Sequence, residues 1–138
     1  MTSVDIEGLL GRVEKPARYT GGEYNSVYKD EREVEIRFAF AFPDLYEIAM
    51  SHLGLRILYY LLNQRKDTWC ERVFAPWTDM EKLMRENGIP LFALESRDAV
   101  SGFDFLGFTL QYEMGYSNVI NMLSLAGIPI LANEREAG

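Results

Sequence analysis

A doubly wound α/β fold, with three or four parallel strands flanked by helices, is what this sequence predicts. Three observations carry that reading. Residues 34–42, VEIRFAFAF, and 103–110, FDFLGFTL, are aromatic, apolar runs of strand length. Each is followed by a segment of helical character. The two helix exits share one device: GIPLFA at 88–93 and GIPILA at 127–132 place Gly as a left-handed cap, then Pro, then an apolar run. Strands alternating with helices imply a parallel sheet joined by right-handed crossovers.

The elements are taken in chain order. Residues 1–33 read as an arm. Residues 6–13 suit a short helix, and Pro16, Gly21 and Gly22 break the rest of the arm into turns. Tyr19, Tyr24 and Tyr28 alternate there with charges without a clean period, as in a segment laid over the domain proper. Residues 34–138 then form the α/β domain. The strand at 34–42 stops at Pro43 and Asp44, and Asp44 with Glu47 forms a capping-box pattern. The helix it opens extends to about Arg65 and is apolar on nearly every side. A helix of that kind is buried on several sides, so something beyond a small sheet should cover it. Gly54 within it costs on the order of 1 kcal/mol against alanine, which implies a close approach by another group.

A short strand at 72–75 precedes Pro76, and a helix over 78–87 ends at Gly88. Residues 91–95 read as another short strand, 96–102 as loop, and 103–110 as the second buried strand. The last helix covers about 117–126. Three or four strands fall short of the five or six usual for such folds. The architecture is therefore Rossmann-like or flavodoxin-like and truncated. With strand order 2-1-3, the strand at 103–110 is an open edge and a template for pairing.

Composition excludes several classes. The 138 residues fit one domain, which buries roughly 70% of its unfolded surface. Hydrophobic residues make up 48% and charged residues 25%, as in ordinary globular proteins. The net charge of −7 argues against a nucleic-acid partner, since phosphate binding needs clustered cations. No apolar run has the length of a membrane span, and MTSVDIEGLLGRVEK does not resemble a secretory signal, so a cytoplasmic location is expected. One cysteine, Cys70, and one histidine, His52, leave too few donors for an iron–sulfur cluster or a structural zinc site. There is no GxG, hence neither a dinucleotide fingerprint nor a phosphate loop. His52 falls on the inner stripe with Leu45, Ile48, Ala49 and Tyr59, where it reads as a buried, hydrogen-bonded side chain.

Ligands of open α/β sheets lie beyond the carboxyl ends of the strands. Asp44 and Tyr46, then Trp77 and Thr78, then Gln111, Tyr112 and Glu113 stand at those ends, with Asn118 opening the last helix. Asp44, Tyr46, Gln111, Tyr112, Glu113 and Asn118 are the candidate cofactor-binding residues, and no catalytic or metal-ligating set can be named.

The stretches FAFAFPDLYEIAMSHLGLRILYYLLN, ERVFAPWTDMEKLMRENGIPLFALESR and FDFLGFTLQYEMGYSNVINMLSLAGIP, together with KPARYTGGEYN, resemble a bacterial family of radical-SAM proteins with an N-terminal domain related to cobalamin-binding domains. The resemblance covers nearly all of residues 7–132. It implies that 34–138 is the first part of such a domain and that the parent protein is a radical-SAM enzyme. It also implies a catalytic domain elsewhere in the same polypeptide, with a CxxxCxxC motif, a 4Fe–4S cluster and S-adenosylmethionine. None of that motif occurs here, so this chain carries no cofactor of its own and serves as a scaffold or substrate-facing domain. Cobalamin binders carry DxHxxG after the first strand, and the matching positions read Asp44, Leu45, Tyr46, Glu47, Ile48 and Ala49. Tyrosine replaces the cobalt-ligating histidine, so a cobalamin module would lack its lower axial bond. Two alternatives stay open: that module, and a self-associating domain that dimerises through the open sheet edge.

Overall fold

The computed structural model describes residues 3–136. The arm contributes two single-turn helices, α1 (Glu7–Leu10) and α2 (Ala17–Thr20), and then a turn at Glu31–Glu33. Strand β1 (Ile36–Phe42) enters the sheet, followed by α3 (Tyr46–Ala49), α4 (Leu53–Gln64) and β2 (Thr68–Phe74). Helix α5 (Thr78–Asn87), strand β3 (Phe105–Phe108) and helix α6 (Gly115–Ala126) complete the order. The three strands are parallel, in the order β2-β1-β3. This is the truncated Rossmann-like sheet expected from the sequence, in the expected strand order. Among the described residues no helix is long and apolar enough to cross a membrane.

Alternation along β1 builds two cores. Ala39 and Ala41 face one side with Val73, against Met80 and Met84 of α5 and Met122 and Leu125 of α6. Ile6, Leu9, Val13 and Tyr19 of the arm join this cluster, so the arm is part of the interior. Phe40 and Phe42 face the other side with Cys70, against Ala49, Leu55 and Tyr59. Gly107 pairs with Phe40, and a Cβ there would lie 2.9 Å from the tip of the Phe38 ring. The glycine lets that ring lie across the sheet and stack on Phe105, 5.9 Å away between centroids.

Several elements depart from the sequence reading. The helix expected from Asp44 to about Arg65 is two helices, broken at Ser51 and His52. Leu45 is the cap residue of α3 and makes no side-chain cap bond, so the capping box does not form. His52 caps α4 instead: its backbone is extended, and its Nδ1 accepts the Leu55 N–H at 3.2 Å. It is half-buried at a helix start rather than sitting mid-helix on the inner stripe. The group crowding Gly54 is this ring, since a Cβ on Gly54 would lie 2.9 Å from His52 Cε1.

β2 begins four residues earlier than the expected 72–75, because buried Glu71 and Arg72 are paired rather than terminal. Residues 91–95 form no strand. Phe92 makes one isolated antiparallel bridge to Ala99, and the segment folds back along the outer edge of β2. β3 is shorter than the expected 103–110, and α6 starts two residues early. Both glycine caps form as expected, with φ of +64° at Gly88 and +69° at Gly127.

The arm is fastened over the Phe40 face by polar bonds. Lys29 Nζ donates to the carbonyls of Asn63, Arg65 and Thr68, and the Val27 carbonyl accepts from Trp69 Nε1. Glu23 accepts from Tyr46, Ser26 and Arg72. Burial pushes the Glu23 carboxyl up, but the bonds from Tyr46 and Arg72 and the Arg72 charge outweigh it and hold it below its ordinary value. A depressed carboxylate stabilises above its unfolded pKa, and that contribution is lost as pH falls through the folded value. Acidification below about pH 4 should therefore loosen the arm. The readout is protease cleavage near Gly21 and Gly22: faster at pH 3 than at pH 6, with a smaller acid response in Glu23→Gln. Equal cleavage rates at the two pH values would contradict it.

Candidate functional site at the carboxyl ends of the strands

β1 and β2 end at Phe42 and Phe74, and the turns leaving them meet the start of α6. The backbone of one turn holds the other, since Ala75 N–H donates to the Asp44 carbonyl at 3.0 Å. A cleft of about 170 Å³ lies between them, lined by Asp44, Trp77, Thr78, Glu81, Asn118 and Asn121. Asn118 Nδ2 donates to the Pro43 carbonyl at 2.8 Å, tying α6 to the end of β1. Tyr112 Oη donates to Asp44 Oδ2 at 3.2 Å, while the other Asp44 oxygen accepts the Leu45 N–H. The Asp44 carboxylate in turn holds the exposed Tyr112 phenol above its ordinary value. Asn121 bridges Glu81 and Arg85, joining α6 to α5 across the floor.

Three of the six residues singled out in the sequence thus come together: Asp44, Tyr112 and Asn118. Trp77 and Thr78 join them. Gln111 and Glu113 do not. Gln111 is exposed and bonds back to Thr109, and Glu113 is exposed on the same loop. Tyr46 turns to the other side of the turn, where its hydroxyl donates to Glu23 and its ring stands edge-on to Phe74 at 5.5 Å. Burial, with the adjacent Glu23, pushes the Tyr46 phenol up to about 12. The cleft offers carboxylates, amides and one indole, and no histidine, cysteine or lysine. Such a set, with the Thr78 hydroxyl, can hydrogen-bond a ligand and offers no imidazole base.

Two polar networks escaped the sequence reading. On the Phe40 face, Arg72 donates to Glu95 at 2.7 Å, to Glu23 and to Ser26 at 3.1 Å. Tyr59 donates to Glu95 at 3.1 Å and accepts from the Val27 N–H at 2.7 Å. A groove of about 780 Å³ runs beside this network along α4, with Glu23, Arg72, Met50 and Tyr59 in its lining. On the Ala39 face, Arg37 binds Glu71, Asp98 at 3.0 Å and Glu31 at 3.2 Å. The signal available was the charge inside apolar strands, at Arg37, Glu71 and Arg72. Its meaning needed partners such as Glu95 and Asp98, which are remote in sequence.

The iron–sulfur cluster implied by the resemblance does not fit these residues. Cys70 is fully buried, its own backbone amide and carbonyl are both bonded to Asn63, and burial, then the Glu95 and Glu71 charges, pushes its thiol up to about 12. A thiol of that kind is not a thiolate ligand at neutral pH. Among the described residues no group of three or more His, Cys, Asp or Glu has an arrangement able to hold a metal ion. For cobalamin, Tyr46 has its hydroxyl committed to Glu23 and away from the cleft.

A family model described as "Radical SAM proteins, N-terminal" matches residues 54–138. No curated protein and no solved structure matches the chain.

Proposed function

Because the chain belongs to the family of N-terminal regions of radical SAM proteins, we propose that it is a cytoplasmic, non-catalytic domain of a radical-SAM enzyme, acting as scaffold or substrate-facing wall for the catalytic domain of the same polypeptide. Residues 1–33 are its arm and 34–138 the first part of its α/β body. S-adenosylmethionine and the 4Fe–4S cluster belong to that catalytic domain, and the residues here take no part in holding them.

The observation that supports this reading best is the outer surface of α4. Leu55, Tyr59 and Leu62 pack on the sheet, and Leu53, Ile57, Leu58, Tyr60 and Leu61 are 65%, 48%, 47%, 62% and 54% exposed. Scattered apolar residues on a surface need no explanation, but five on one helix form a patch of the kind that marks an interaction surface. The cleft at Asp44 and Asn118 opens beside α6 and is suited to meeting a polar substrate rather than transforming it.

The test is Ile57→Glu with Leu61→Glu in the parent polypeptide. Both side chains are half exposed, so each substitution should change this domain's own stability by no more than about 0.5 kcal/mol. Catalytic turnover should fall at least tenfold, and protease cleavage between the two domains should accelerate. Unchanged turnover with unchanged cleavage would overturn the reading.

A further inference from the structure

The two edges of the sheet are not alike. The outer edge of β2 is closed. Asn63 bonds both the amide and the carbonyl of Cys70 at 2.9 Å, Glu95 accepts the Arg72 N–H at 2.8 Å, and Leu94 N–H donates to the Arg72 carbonyl at 2.8 Å. A side chain and a folded-back segment stand there in place of a fourth strand. Among the described residues nothing pairs with the outer edge of β3. That strand reads FLGF, with no proline, no lysine and none of the charges that usually protect an edge.

The helices say in which direction the sheet grows. From β1 to β2 the chain crosses through α4, on the Phe40 side. From β2 to β3 it reverses direction and crosses through α5, on the Ala39 side. Helix α6 lies on that same side, its Met122 and Leu125 in one cluster with Met80 and Met84. A right-handed crossover through a helix on that side continues in the direction from β2 toward β3. The opposite direction would need a left-handed crossover into the position that β1 already holds.

We propose that the outer edge of β3 receives one further parallel strand, supplied by the parent polypeptide following α6. This rests on the proposed function only in requiring that the domain is joined to more chain. A second copy fits the edge poorly. Two β3 strands related by a two-fold axis would run antiparallel over four residues. A contact so short falls well below the roughly 1,200 Å² of a stable interface, and each copy carries a net charge of −7.

Thr109 N–H donates to the Ala41 carbonyl at 3.2 Å, and with Phe105 level with Phe38 the alternation back along β3 turns the Leu106 and Phe108 amides outward. Amide hydrogen exchange of the parent polypeptide reads them directly, with Phe38 and Phe40 of central β1 as internal references. The expected result is exchange at Leu106 and Phe108 within about tenfold of the β1 amides. Exchange about 100-fold or more faster than β1 overturns the proposal. Sedimentation across the same concentrations separates the rival occupant: protection that appears only as dimers form assigns the edge to a second copy and also overturns it. The two readings fail separately. Loss of the α4 interface in the Ile57→Glu, Leu61→Glu protein changes turnover and leaves β3 protection intact, whereas an open β3 edge leaves the α4 result untouched.

Discussion

Arg72→Met is expected to lower the free energy of unfolding by about 3–5 kcal/mol, the cost of leaving a buried charge without its partner. Arg72 is 6% exposed and the Glu95 side chain is wholly inaccessible. The guanidinium serves Glu95, Glu23 and Ser26 and lies 4.9 Å over the Tyr59 ring. Burial already pushes the Glu95 carboxyl up against the pull of Arg72, and without that cation only the Arg72 backbone amide and the Tyr59 hydroxyl oppose it. Adding Glu95→Gln should recover part of the loss, since a neutral amide removes the uncompensated charge and keeps an oxygen for the backbone N–H. Urea denaturation at pH 7 measures both variants, with the slope unchanged if the effect is on the folded state. A loss under about 1 kcal/mol for Arg72→Met would show that the network contributes little.

The second large effect belongs to Arg37. Its guanidinium is held between the Trp69 and Phe103 rings, 4.5 and 4.6 Å away, while it binds Glu71 and Asp98. Arg37→Met leaves two buried carboxylates facing each other, again at a cost of about 3–5 kcal/mol. Here a second substitution is diagnostic. Adding Glu71→Gln to Arg37→Met removes one of the unpaired charges and should recover part of the loss in urea denaturation at pH 7. Arg37→Lys should also be destabilising, because a single ammonium reproduces neither the planar stacking nor the forked donor set. A deficit that Glu71→Gln leaves unchanged would assign the effect to lost packing rather than to unpaired charge.

The legible parts of the sequence were those where one physical signal acts locally. Apolar runs on either side of glycine caps gave β1, α5, the position of β3 and the ends of α5 and α6. The strand order 2-1-3 entered as a supposition, and the sheet has it. What stayed hidden depended on distant partners. β2 was half missed because Glu71 and Arg72 read as the end of a strand until Arg37 and Glu95 are seen to neutralise them. The break before α4 was missed because Asp44 and Glu47 have the spacing of a cap, while the cap that forms comes from an imidazole eight residues later. The candidate site was legible in the same measure. Asp44, Tyr112 and Asn118 come together because strand ends are fixed by topology; Tyr46 turns away from them toward Glu23, which belongs to an arm without a periodic pattern.

Glu71 and Arg72 are neighbours on one strand and point to opposite sides of the sheet, each toward an opposite charge. Suppose β2 slid past β1 by a single position. Every side chain on it would exchange sides. The carboxylate would then be thrust among Glu23 and Glu95, and the guanidinium would arrive beside Arg37. Hydrophobic runs as uniform as these tolerate sliding; a pair of like charges forced together in a dry interior does not. The two residues therefore act as a checksum on the alignment, so that a misthreaded sheet is rejected while the chain is still folding.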